Sequence, residues 1–105
     1  MESKVRRIGT YIVLAGVLVT SAAPGADAEN GKRVALSRCA TCHIVEPSQR
    51  DEVADSPPFE TIARNVGFDT LQLTYMIRNP HPRMNLTLSQ REAQDIAAYM
   101  SSLMR

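Results

Sequence analysis

The chain has 105 residues, enough for one small domain, with twelve Lys/Arg against eleven Asp/Glu and a formal net charge of +1. A balance this close to neutral, with no basic stripe, argues against nucleic acid as a partner. There is no Trp, there are two Phe and three Tyr (one of them Tyr11), and the only two cysteines are Cys39 and Cys42, so side chains alone make a marginal core and no spare disulfide can staple it.

The first segment does not read as domain material. Lys4, Arg6 and Arg7 form a positive start, Ile8 to Thr20 is a nearly unbroken apolar run, and small residues follow up to Ala26-Asp27-Ala28. That order describes a secretory signal peptide with an A-x-A cleavage pattern, so residues 1–28 are expected to be removed after Ala28. The apolar run is shorter than the about 20 residues that a spanning helix needs. Left uncut, it would tether the same domain to a membrane. Arg6-Arg7 alone is weak support for a twin-arginine signal. The remainder, residues 29–105, holds nine Lys/Arg and nine Asp/Glu.

A first helix is expected over about Lys32 to Ala40, with Asn30 as its N-cap. It runs into Cys39-Ala40-Thr41-Cys42-His43. Two thiols three positions apart with an imidazole directly behind the second are the attachment pattern of a c-type haem. Each thiol can form a thioether to one porphyrin vinyl group. His43 then lies under the iron and can ligate it as a proximal histidine does. Three plainer readings compete: a dithiol redox pair, a small disulfide, and half of a zinc site. A closed zinc site needs four ligands, and His81 is the one other histidine. A thioredoxin-like pair belongs in a βαβ setting, whereas these cysteines end a helix. A buried porphyrin would also supply the apolar centre that the composition lacks.

Glu46 to Pro58 reads as a loop with three prolines. Phe59 to Asn65 makes one or two helical turns, stopped near Gly67. Asp69 can cap a helix over Thr70 to Arg78, where Leu71, Tyr75 and Met76 are spaced i, i+4 and i+5 with Leu73 and Ile77 beside them. Asn79-Pro80-His81-Pro82 breaks it. The last helix begins at a capping box, Ser89 with Glu92. Ala93, Ile96, Ala97, Met100 and Leu103 form its apolar face, and Arg91, Gln94, Asp95 and Ser102 are expected opposite. No stretch alternates as a strand. The fold class is all-α, about four short helices.

A six-coordinate haem needs a ligand opposite His43. Met76, Met100 and Met104 fall on expected helices, where methionine usually packs a core. Met84 sits in an irregular loop between Arg83 and Asn85 and can present its thioether to the ring, which favours it. His81, in its Pro-His-Pro turn, is more readily an exposed loop residue; His81 ligation and an open iron stay as alternatives.

The segment from residue 29 to 105 resembles a small class I cytochrome c. The resemblance is carried by Cys39-Ala-Thr-Cys-His43 after an N-terminal helix, Ser56-Pro57-Pro58-Phe59, Asn79-Pro80-His81-Pro82-Arg83-Met84, and Leu88-Ser89 through Asp95-Ile96-Ala97-Ala98-Tyr99. It implies one haem c, covalent through Cys39 and Cys42, packed among helices with His43 and Met84 as axial ligands. It also implies that a loop proline carbonyl, of Pro57 or Pro58, accepts the other N–H of His43.

The expected function is one-electron transfer in the periplasm by a carrier that is not itself an enzyme, with redox partners such as a dehydrogenase, an oxidase or another cytochrome. A membrane enters only through an uncleaved N-terminal segment. A haem enzyme or gas sensor with an open or labile sixth site is the rival, and an electron-entry subunit of a larger oxidoreductase is a further variant. The motif makes one direct prediction. When the exported protein is denatured and extracted with acidic organic solvent, colour stays with the polypeptide and its mass exceeds the chain mass by one haem; a colourless chain with two titratable thiols would refute covalent attachment.

Overall fold

The computed structural model describes residues 9–16, 25–49, 56–79, 81 and 86–104. Among these it has four α-helices and no strand: α1 (Ala28–Arg38), α2 (Phe59–Asn65), α3 (Thr70–Arg78) and α4 (Gln90–Ser101). No helix among the described residues is long and apolar enough to cross a membrane.

Helix α1 starts earlier than its sequence suggests. Its N-cap is Asp27, whose carboxylate accepts the Asn30 backbone N–H at 3.0 Å. Asn30 lies inside the helix, and its side-chain amide donates to Asp95 Oδ2 at 2.8 Å. Helix α3 has the expected bounds and the expected cap, with Asp69 Oδ1 accepting from the N–H groups of Leu71 and Gln72. Before it, Gly67 and Phe68 both adopt positive φ, 60° and 58°. The left-handed pair reverses the chain after α2, and the Phe68 N–H closes the turn on the Ala63 carbonyl at 2.8 Å. Glycine takes this geometry without strain and phenylalanine does not. The partly buried Phe68 ring packs against the core, which offsets that cost.

At α4, Ser89 Oγ accepts the Glu92 N–H at 3.0 Å, and its hydroxyl meets Glu92 Oε1 at 3.2 Å. Ala93, Ile96, Ala97, Met100 and Leu103 are all buried, as their spacing requires. The helix ends at Ser101, so Met104 lies beyond it and is exposed. On α3, Leu73 alone is fully buried, while Leu71 and Tyr75 face outward.

Two helix pairs dominate the packing, α1 against α4 and α3 against α4. The α1–α4 crossing is a backbone contact. A Cβ at Gly31 would lie 1.9 Å from the Asp95 carbonyl oxygen, so only glycine permits this approach. Asp95 itself corrects the sequence reading, which put it on the solvent side. It is 2% exposed. Its Oδ1 accepts the Asp27 N–H at 2.8 Å and approaches Arg91 Nε at 3.4 Å. The helix periodicity places Asp95 beside the core face, and the partners on α1 make burial of the charge tolerable.

Burial alone would raise the Asp95 pKa, but the Asp27 N–H, the Asn30 amide and the Arg91 guanidinium outweigh it and hold the carboxyl below its ordinary value. A depressed carboxylate pKa contributes stability above the unfolded-state value of about 3.9, and that contribution is lost as pH falls through the folded-state value. Asp95→Asn is therefore expected to be about 1–3 kcal/mol less stable at neutral pH. The gap should narrow as pH drops below about 4. Chemical denaturation of both proteins across pH checks this; a constant gap would refute the ionic part.

Candidate functional site

The end of α1 builds the site. The Cys39 N–H bonds the Ala35 carbonyl at 2.7 Å and ends the helix. The Cys39 carbonyl then accepts from Cys42 at 3.1 Å and from His43 at 2.9 Å. This single turn holds Cys39, Cys42 and His43 together. Both sulfurs are half-buried.

His43 is buried, and its Nδ1 lies 2.7 Å from the Pro57 carbonyl oxygen. A carbonyl can only accept, so Nδ1 donates to it, and in the neutral ring the lone pair is on Nε2. Of the two prolines that the sequence left open, Pro57 supplies the acceptor. The approach of this distant loop is enforced by the Phe59 N–H, which bonds the Ile44 carbonyl at 3.0 Å. Phe59 then packs its ring 5.5 Å from that of His43, centroid to centroid.

Two further residues brace the segment after the motif. Gln49 receives the Val45 N–H on Oε1 and donates from Nε2 to the His43 carbonyl, each at 3.2 Å. The buried Tyr99 hydroxyl donates to the Val45 carbonyl at 2.8 Å. Neither role was legible beforehand. Gln49 lies in an aperiodic loop, and Tyr99 follows the apolar spacing of α4, so nothing marked its hydroxyl for use.

His43 and Cys39 open onto a cleft whose space is about 650 Å³, solvent at the mouth included. Its walls are apolar: Phe59 and Ile62 from α2, Leu73, Met76 and Ile77 from α3, and Ile96 and Met100 from α4. Arg38 stands in the lining beside Cys39 and donates to the Thr87 carbonyl at 3.1 Å. Leu86 and Leu88, just before α4, complete the lining.

The other ligand candidates divide. Met84 lies outside the described residues. Met100 is buried at the cleft, as a core methionine should be, whereas Met76 is 43% exposed and lines the cleft. His81 departs from the exposed-loop reading: it is half-buried, lines the cleft, and stands with its ring centroid 5.8 Å from that of His43.

The plainer readings of the cysteines lose ground. Burial pushes the Cys39 thiol up, with Arg38 only partly opposing, the reverse of what a nucleophilic redox thiol needs. Among the described residues no three His, Cys, Asp or Glu side chains gather as a metal site, so a zinc set has no counterpart there. The cleft is apolar, with Cys39 in its lining and the Nε2 of His43 not taken up by the Pro57 carbonyl.

Comparison with known proteins agrees. The chain is 42% identical over 96 residues to cytochrome c-552 of Bradyrhizobium diazoefficiens, covering 90% of this chain and 92% of that one. The chain belongs to the c-type cytochromes. No family model and no solved structure matches it. The four helices are those of a small all-α cytochrome c, the cofactor is a covalent haem c, and Cys39 and Cys42 are the thiols available to hold it. The protein is an electron carrier.

The brace behind the motif carries a test. Tyr99→Phe leaves the buried Val45 carbonyl unpaired and should cost about 1–3 kcal/mol in denaturant unfolding, with the covalent haem kept. No loss of stability would show that the hydroxyl is dispensable.

Proposed function

We propose that this cytochrome is a periplasmic one-electron carrier whose haem iron is held by His43 and Met84. One observation carries the reading: His43 is buried with Nδ1 committed to the Pro57 carbonyl, which leaves Nε2 for the apolar cleft beside Cys39. The carbonyl fixes the ring's tautomer and orientation and makes Nε2 more basic. The haem, when bound, supplies a one-electron couple.

The chain's own residues set the conditions for that couple. Leu73, Ile96 and Met100, each no more than 2% exposed, keep water from the inner wall. Low polarity and a neutral thioether opposite imidazole both favour the ferrous form and raise the potential. Met84 is favoured as the sulfur because the resemblance to class I cytochromes c puts the axial methionine at that position, whereas Met76 and Met100 are fixed on helices. A closed coordination sphere passes electrons and admits no substrate, which separates the carrier from a haem enzyme or gas sensor. Redox partners would dock at the open mouth of the cleft through a small, transient contact.

Export accounts for the N-terminal segment. Removal of residues 1–28 would take away Asp27, and with it both the cap of α1 and one hydrogen bond to Asp95. The domain would then start at Glu29 within the first turn, with Asn30 still bound to Asp95.

The ligand is tested by comparing Met84→Leu with Met76→Leu. Met84→Leu should keep its covalent haem, lose the red-edge sulfur-to-iron charge-transfer band of the ferric protein, and drop in potential. Met76→Leu should keep the band. The opposite pattern would assign the sulfur to Met76.

A further inference from the structure

The cleft holds a second imidazole that the carrier reading does not use. His81 lies in the loop after α3 and is the only described residue between Asn79 and Leu86. It lines the same cleft as His43, Cys39 and Met76. Its ring stands 5.8 Å from the His43 ring, centroid to centroid, with the planes 84° apart.

That separation has a chemical meaning. An imidazole bound to a first-row metal through a ring nitrogen at about 2.0 Å has its centroid about 3 Å from the metal. Two imidazoles on opposite sides of one metal therefore stand about 6 Å apart, centroid to centroid. The planes of two such rings can take any mutual angle about the shared axis, 84° included. His43 meets one condition already, since Nδ1 is occupied by Pro57 and Nε2 is left for the metal. His81 is three residues from Met84, so one loop carries a nitrogen and a sulfur donor within at most about 10 Å of chain. Imidazole suits iron, and thioether is the softer donor of the two.

We propose that His81 is a standby axial ligand, which takes the distal position on the iron whenever Met84 does not hold it. The inference rests on the haem c and Met84 readings. With Met84 bound, the protein is a His/Met carrier of raised potential. With His81 bound, it is a bis-histidine carrier of lower potential, and the iron stays closed to small molecules in both. His81 would thus make loss of the sulfur a change of potential rather than the opening of a gas-binding site.

The test compares exported holoprotein as wild type, His81→Ala, Met84→Ala and Met84→Ala/His81→Ala. Electron paramagnetic resonance and visible spectra report spin state, and added cyanide and carbon monoxide report access. Met84→Leu with and without His81→Ala repeats the comparison with the side-chain volume kept. The expected result is a low-spin Met84→Ala protein without the sulfur band, slow to bind either ligand, and a high-spin double variant that binds both readily. His81→Ala alone should keep the band and a low-spin spectrum. A high-spin Met84→Ala protein that binds cyanide as fast as the double variant would overturn the proposal. A wild type that lacks the band, made high-spin by His81→Ala alone, would overturn Met84 as resident ligand while upholding His81 as a ligand of the iron.

Discussion

Everything at the haem site depends on how closely α1 can approach α4. Position 31 has no side chain, and the Asp95 carbonyl occupies the space where a Cβ would lie. Asp95 then secures the contact by accepting from the Asn30 amide, a bond that the proposed removal of residues 1–28 leaves in place. With the beginning of α1 pinned, its end is placed too, and Cys39, Cys42 and His43 are delivered to the edge of the cleft. An error in that crossing would move thiol and imidazole together, away from the walls that must receive the porphyrin.

The second constraint is the orientation of His43. A surface histidine chooses between two tautomers and many ring angles. This one is buried, and a loop fourteen residues further on supplies a carbonyl to Nδ1. The loop is itself held where it rejoins the fold, by Phe59 on Ile44, and the segment after His43 is held by Gln49 and Tyr99. These bonds create no chemistry of their own. They let a metal be bound without paying, at that moment, the entropy of arranging the imidazole.

The cleft explains why so small a domain has a defined interior. The described core holds one phenylalanine below a tenth exposed, Phe59, and otherwise mainly aliphatic and small residues. Its apolar walls face one another across open space, and leaving such walls in water is unfavourable. A covalently held porphyrin would fill that space, so the cofactor belongs to the hydrophobic core as well as to the redox chemistry.

Much of this was legible along the chain because it is local. The cysteine-histidine motif depends on spacing of three and four residues, the caps at Asp69 and Ser89 on neighbours two or three positions away, and the apolar face of α4 on helical period; all of these survive into the structure. What the tertiary structure decided depends on contacts far apart in sequence. Asp95 was expected in solvent from its place on its own helix, and it is buried because α1 packs over it and supplies hydrogen-bond donors beyond the neighbouring Arg91. The cap of α1 moved from Asn30 to Asp27 because Asn30 has a better use across the crossing. The choice of Pro57 over Pro58, the bracing by Gln49 and Tyr99, and the turning of His81 toward His43 come from loops closing over a shared cavity, and no pattern of neighbours along a chain encodes where such a loop will land.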